Sequence, residues 1–210
     1  MKIRKFFLIG CLAFLFSGCV VYSFYPLYTE NDLFPNDILT GKWGETDAQE
    51  VEITEGESTW IFEHPLVGDT ESEERDSLSY TLTLQEITDN DTLETVFQVH
   101  LIQLEGQYFL DFYMPDFAEG DHLKLADLHV IPVHTFARLS VVDERLTISW
   151  FDPEWLEELI DENKIRIRHE QTDDFVLLTA KPQELQKFVA KYIDSEEAFD
   201  HGLKVILQRK

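Results

Sequence analysis

The stretch TVFQVHLIQLEGQYFLDFYM, residues 95–114, decides the fold because it predicts two β-strands joined by a tight turn. Thr95–Leu104 and Gln107–Met114 are rich in β-branched and aromatic residues, as strands usually are. Glu105-Gly106 separates them, and a glycine at that place favours a hairpin. The stretch therefore predicts an antiparallel pair of strands near the middle of the chain.

The length of the turn sets which side chains face each other. A two-residue turn places Val99 opposite Phe112 on an apolar face, and His100 opposite Asp111 on the other face. A three-residue turn with Gly106 bulged would instead place Val99 opposite Asp111. Apolar matching favours the first register, whereas a glutamate at the first position of a type I′ turn argues against it.

Similar patterns extend outward from this hairpin. Ser79–Glu86 alternates apolar and polar residues, and further strands are predicted at Val51–Ile53, Thr59–Phe62, Leu128–Val142, Arg145–Phe151, Phe175–Thr179 and Gly202–Gln208. Asp152-Pro153 offers an N-cap followed by proline, and apolar residues at helical spacing follow both there and after Pro182. The sequence predicts a mainly β (α+β) fold, an antiparallel sandwich or a closed barrel, with two added helices.

The N-terminus has the three parts of a secretory signal. Residues 2–5 carry three basic side chains and no acid, residues 6–16 are almost wholly apolar, and the small Ser17-Gly18 precedes Cys19. The apolar run is shorter than the roughly 20 residues that span a bilayer. We predict that residues 1–18 are a signal peptide that is removed. Residues 19–40 would then form an N-terminal segment packing on the domain, and residues 41–210 a single β-rich domain.

Leu15-Phe16-Ser17-Gly18-Cys19 resembles the lipobox of bacterial lipoproteins, although Phe16 stands where leucine is usual. The resemblance implies that Cys19 becomes the new N-terminus and carries a diacylglycerol and further acyl chains such as palmitate, which hold the protein on a membrane. Residues 8–11 also fit the motif but leave a short apolar core, and a secreted protein with an unmodified Cys19 is another interpretation. Val20 follows the cysteine, and by resemblance to enterobacterial sorting rules it favours the outer membrane over the inner.

Composition limits the partners of the chain. The formal net charge is −24 at pH 7, and removal of residues 1–18 would make it −27. Such a surface repels nucleic acid and anionic membrane faces. Cys11 and Cys19 are the only cysteines, so the processed chain has no disulfide. The sequence contains no nucleophile elbow, P-loop, dinucleotide or zinc-protease motif, and we predict no cofactor.

Two further resemblances concern the mature chain. The segments FYPLYTENDL, HLIQLEGQYFLDFY and HVIPVHTFARL resemble a family of uncharacterised bacterial lipoproteins, which implies a lipid anchor and no known activity. Gly41-Lys42-Trp43, at the start of the β-rich region, is similar to the Gly-x-Trp motif of lipocalins. That resemblance implies a lipocalin-like barrel in which Trp43 closes one end beneath an arginine of the last strand, here Arg209. The other interpretation makes Trp43 a core aromatic residue.

Four residues on predicted strands are candidates for a ligand-binding site, together with Trp43. On the strand after residue 128, His134 and Arg138 share one face, so that His100, Asp111, His134 and Arg138 would line a barrel interior or a groove. A histidine beside a carboxylate has the parts of a general base. The plainer interpretation is a solvated outer face with cross-strand ion pairs.

Metal ligands are present, but not in a recognised pattern. His129 and His134 offer nitrogen ligands, and one loop offers ligands for Ca²⁺ at Asp116, Glu119, Asp121 and His122. Neither spacing matches a strong metal-binding motif, so we predict no metal.

An acid-rich chain without enzyme motifs favours a non-enzymatic protein, binding or structural, in the cell envelope. Its partners would be the membrane, through the N-terminal lipid, and a small apolar ligand or an envelope protein, but not nucleic acid. The alternative is an envelope hydrolase that uses His100 and Asp111, or a histidine-bound metal. A common cleft holding His100, Asp111, His134 and Arg138 would favour the hydrolase, and an open convex face would exclude it.

Overall fold

The computed structural model describes residues 20–46, 58–68, 74–87, 92–115, 130–172 and 175–210. The predictions made for the lipobox and Cys19, for a strand at Val51–Ile53, for His129 and for the acidic loop at residues 116–122 lie outside the described residues.

Eight antiparallel strands close into a barrel. They are β2 Gly41–Glu45, β3 Ser58–Glu63, β4 Tyr80–Ile87, β5 Thr92–Leu104, β6 Gln107–Tyr113, β7 His134–Val142, β8 Arg145–Trp150 and β11 Lys204–Arg209. Neighbours along the chain pair from β2 to β8, and β11 closes the ring between β8 and β2. The fold is therefore a mainly β, lipocalin-like barrel with two added helices, and the sandwich is excluded because the ring has no open edge.

The hairpin of β5 and β6 has the two-residue turn. Val99 lies opposite Phe112, and His100 lies opposite Asp111. Glu105 and Gly106 have φ angles of 47° and 85°, and a type I′ turn requires positive φ at both positions. The burial of one strand face thus outweighs the poor preference of glutamate for this conformation.

A small extension continues the barrel wall from the start of β7. It consists of β1 Tyr22–Ser23, β9 His169–Gln171 and β10 Val176–Leu178. β1 pairs antiparallel with β7 and parallel with β10, which in turn pairs with β9. Sequence reasoning missed β1 and β9, because two or three residues are too few to show alternation, and it began β7 too early.

Both helices begin where proline predicted them. The first, α1, spans Pro153–Asp161, and the second, α2, spans Pro182–Lys191; short 3₁₀ turns lie at Glu30–Asp32 and Glu197–Phe199. The side chain of Asp152 accepts hydrogen bonds from two N–H groups of the first turn of α1, which satisfies donors that a helix start leaves free. Among the described residues, no helix is both long and apolar enough to cross a bilayer.

Two apolar clusters lie on opposite sides of the barrel wall. The interior cluster includes Leu39, Trp43, Phe62, Tyr80, Leu101 and Leu139. The outer cluster joins the outward face of β5–β7 to both helices and to the N-terminal segment, with Leu27, Ile102, Phe109, Phe136, Leu156 and Phe188. Leu27 and its neighbours in the N-terminal segment pack on the barrel, and residues on the outward face of β5–β7 are buried under a second layer.

Candidate functional site

The predicted residues His100, Asp111, His134 and Arg138 all lie on the outward face of β5–β7. They do not line the barrel interior, because their strand neighbours Val99 and Leu110 face inward. Nor is the face solvated, since Asp111 is fully buried and His100 is 6% exposed. The plainer interpretation from sequence is therefore wrong about solvation, because the N-terminal segment covers these residues.

Asp111 is held by two partners that lie far away in sequence. Its Oδ1 lies 2.7 Å from Nδ1 of His134, and its Oδ2 accepts a hydrogen bond of 2.8 Å from the backbone N–H of Leu27. His100, which faces Asp111 directly across the strands, has no hydrogen bond to it in the structure. Hydrogen bonds to both oxygens offset the cost of burying the carboxylate, so Asp111 ties the N-terminal segment to the sheet.

His100 is packed beneath an aromatic ring. The ring of Tyr28 lies 4.2 Å from its imidazole, centroid to centroid. Burial lowers the pKa of His100 and outweighs Asp111 and Asp76, which raise that pKa. Its Nδ1 is buried without a hydrogen-bond partner in the described part of the chain. Burial, with smaller effects from Asp111 and Tyr113, raises the pKa of Tyr28 to about 12, so both rings remain neutral near pH 7.

His134 has part of the geometry of a general base. Its ring stacks on Tyr113 at 4.6 Å, and its side chain is 12% exposed. A nucleophilic enzyme would also need a hydroxyl or thiol bonded to that base, and none is bonded to His134 or His100 within the described ranges. Nor do the described residues form a group of three or more metal ligands. The pair can position a proton, but the described site lacks a second reacting group.

Arg138 lies apart from this cluster. Its guanidinium lies 3.9 Å from the centroid of the Phe199 ring and donates to the carbonyl of Ile193 at 3.3 Å. Burial lowers its pKa, although Glu196 and Asp194 raise it. Of the four predicted residues, His100, Asp111 and His134 therefore form the cluster. Arg138 instead joins β7 to the segment after α2.

Trp43 lies near the lower end of the barrel, where β2 begins and β11 ends. Its Nε1 donates to the carbonyl of Leu39 at 2.7 Å, and the guanidinium of Arg209 lies 4.2 Å above the ring. Arg209 also donates to the carbonyl of Thr40 at 2.9 Å. A Cβ at Gly41 would lie 2.6 Å from the guanidinium, so the glycine provides the room that this stack needs. Of what the Gly-x-Trp resemblance implies, the stack of Arg209 on Trp43 is present.

The opposite, upper end is where β2, β4, β6 and β8 finish, and two of its inward-facing side chains, Leu84 and Phe97, are half-buried. The aromatic side chains at this end are more buried, since Trp60 is 7% exposed, Phe112 6% and Trp150 5%. The strand connections at this end, residues 47–57, 88–91 and 116–129, lie outside the described residues.

Two indoles give the upper end some polar character. Nε1 of Trp150 donates to the hydroxyl of Thr135 at 3.3 Å. Nε1 of Trp60 is buried and has no partner in the described part of the chain. A buried donor without an acceptor costs about 1–3 kcal/mol. This site was not predicted from the sequence. Its only sequence signal is that Trp60, Phe97, Phe112 and Trp150 occupy strand positions whose side chains point into the barrel.

Comparisons of the chain with protein-family models, with curated proteins and with solved structures gave no match.

Proposed function

We propose that this chain is a lipid-anchored protein of the bacterial cell envelope with a non-enzymatic binding role, and that it takes a small apolar ligand at the upper end of its barrel. The anchor rests on the signal and lipobox pattern that ends at Cys19. The binding role rests on the inward-facing side chains of the upper end, where Leu84 and Phe97 are half-buried, whereas Trp43 is 1% exposed.

The chemistry of the upper end suggests the class of ligand. Trp60, Phe97, Phe112 and Trp150 offer aromatic surface, and such surface favours apolar molecules. The Nε1–H of Trp60, which has no partner among the described residues, would donate to a single acceptor on that molecule. A fatty alcohol, fatty acid or comparable amphiphile has this combination of an apolar chain and one acceptor.

A neutral fluorescent probe tests the site in the mature chain with Cys19→Ser. N-phenylnaphthylamine should bind and receive energy from the tryptophans, and dodecanol should displace it. Leu84→Trp fills the upper end from the inside and should abolish probe binding. Thr83→Trp, the matched control, adds the same side chain on the outward side of β4 and should leave binding unchanged. Absence of probe binding, or equal effects of both variants, would refute the proposed site.

The anchor has its own test. Cys19→Ala should release the protein from the membrane fraction in soluble form, because acyl chains on that sulfur would be lost. Retention in the membrane would show that the apolar segment stays attached or that Cys11 is the modified residue.

The alternative function is an envelope hydrolase, and the 2.7 Å contact between His134 and Asp111 is the observation that favours it. A hydrolase of this kind would lose activity towards short-chain esters in His134→Gln and retain it in Arg138→Gln. We prefer the binding role because Leu27 and Tyr28 cover the carboxylate and the second histidine.

A further inference from the structure

A groove beside α2 concentrates positive charge on an otherwise acidic protein. It lies between residues 164–167 and the helix and has a volume of about 290 Å³. Lys164, Arg166, Lys187 and Lys191 line it, and Glu184 is the one carboxylate among its lining residues. The whole chain has 41 acidic and 17 basic residues, so a groove with four cations and one acid departs sharply from the average surface.

Most of this positive charge is not neutralised by the protein itself. Glu184 is engaged by Arg168 through two hydrogen bonds of 2.9 and 3.0 Å. Lys164 is paired with Glu162, but within the described ranges Arg166, Lys187 and Lys191 form no ion pair with a carboxylate. Lys187 and Lys191 lie four residues apart on the helix, where like charges repel slightly. Holding these cations side by side in the groove therefore lowers the stability of the helix slightly.

The floor of the groove is apolar and partly aromatic. Ile165, Ile167, Phe188 and Tyr192 form it, and Phe188 belongs to the outer cluster. The ammonium of Lys191 lies 4.6 Å from the Tyr192 ring centroid and donates to its hydroxyl at 2.9 Å. An apolar floor with a tyrosine and a cationic rim resembles the side-chain chemistry of protein surfaces at a lipid headgroup layer.

We propose that this groove binds the anionic headgroup of a phospholipid and so docks one face of the domain on the membrane. The net charge of the chain opposes such binding only at long range. At physiological ionic strength the Debye length is about 8 Å, so acidic residues farther than that from the headgroup are largely screened. The nearby cations of the groove then determine the local attraction, contrary to what net charge alone predicts.

The orientation that this docking gives the domain rests on the proposed lipid anchor, whereas the charge attraction does not. A single acyl chain binds a membrane only marginally, and a basic patch is a common second signal. Binding by the groove should therefore persist in a chain without acyl groups, which allows the two proposals to fail separately.

The test uses the mature chain with Cys19→Ser and sedimentation with vesicles. One set contains phosphatidylcholine alone, and the other contains equal parts of phosphatidylcholine and phosphatidylglycerol. Each cation near an anionic surface changes the partition coefficient about fivefold, which corresponds to about 1 kcal/mol. Replacing Arg166, Lys187 and Lys191 together by glutamine should thus lower binding to the anionic vesicles roughly a hundredfold. Lys191→Gln alone should lower this binding about fivefold, and this single variant keeps the test valid if the triple variant misfolds.

A second triple variant is the matched control. Lys42→Gln, Arg145→Gln and Lys204→Gln remove the same charge from exposed positions on β2, β8 and β11 and should bind like the parent. The proposal is overturned if neutral and anionic vesicles bind equally, or if both triple variants lose binding equally. It is also overturned if inorganic phosphate displaces the protein completely while sodium chloride at the same ionic strength does not, because the groove would then be a site for free phosphate.

Discussion

Replacement of Asp111 by alanine should loosen the N-terminal segment from the barrel. The substitution leaves the buried N–H of Leu27 without its acceptor and His134 without its carboxylate partner. Breaking a buried pair by removing one partner costs about 3–5 kcal/mol. Because the His134 side chain is 12% exposed, water offsets part of this loss, and we expect about 3 kcal/mol.

Asp111→Asn separates the hydrogen bonds from the charge. Its amide oxygen can still accept from Leu27, and its amide nitrogen can donate to a neutral His134 in the other tautomer. We expect the free energy of unfolding to fall by only about 1 kcal/mol, the net value of a typical hydrogen bond. For a chain of this length, 1 kcal/mol corresponds to about 2–4 °C in Tm, so alanine should lower Tm by roughly 10 °C and asparagine by roughly 3 °C.

Urea and thermal unfolding of the mature chain with Cys19→Ser measure both values. Limited proteolysis should cut alanine-variant chains between residues 24 and 33 sooner than the parent, because that segment depends on the Leu27 contact. A double-mutant cycle with His134→Ala should return a coupling energy of about 0.5–3 kcal/mol. If alanine costs no more than asparagine, or if the coupling is zero, Asp111 does not tie the segment to the sheet and the reasoning is refuted.

Three other outcomes follow from buried groups and from the glycine beside the Arg209–Trp43 stack. Because the pKa of His100 is lowered in the folded chain, the unfolded chain binds more protons than the folded chain below the ordinary histidine pKa of about 6.5. Stability should therefore decrease as pH falls below that value, and His100→Gln should flatten this part of the plot of urea midpoint against pH. Tyr28 and Tyr80, each with a pKa raised to about 12, should be the last tyrosines to ionise in a phenolate absorbance titration, and Tyr28→Phe should remove one of these two groups. The stability that their neutral forms contribute should be lost as pH rises above 10. Gly41→Ala should lower stability by about 2 kcal/mol, and Gly68→Ala by about 1 kcal/mol. Both glycines have positive φ, but only a Cβ at Gly41 meets the guanidinium of Arg209. Equal unfolding midpoints of the two variants would contradict this account.

Much of the fold could be predicted because its determinants are local. The pairing of His100 with Asp111 follows from the turn length and from the apolar alternation of β5 and β6, which involve neighbouring residues. The starts of α1 and α2 follow from proline at the first helical position. β1 and β9 could not be predicted, since strands this short acquire their pairing from neighbours elsewhere in the chain.

The candidate site on the outward face of β5–β7 could be predicted from the sequence only in part. The residue types at His100, Asp111 and His134 were identified from sequence, as was their common strand face. Their burial was not, because the cover comes from Leu27 and Tyr28, more than seventy residues away in the chain.

By itself the sequence determined the alternation of the strands and the helix starts, and its apolar matching favoured the observed hairpin register. The stack of Arg209 on Trp43 was implied by the Gly-x-Trp resemblance. Only the tertiary structure decided that the sheet closes, that Asp111 bonds to His134 and Leu27, and that Leu84 and Phe97 at the upper end stay half-buried. The physical reason is that backbone preference and side-chain period act within a few residues. Burial and hydrogen-bond partners depend instead on which distant segments fold over the same surface.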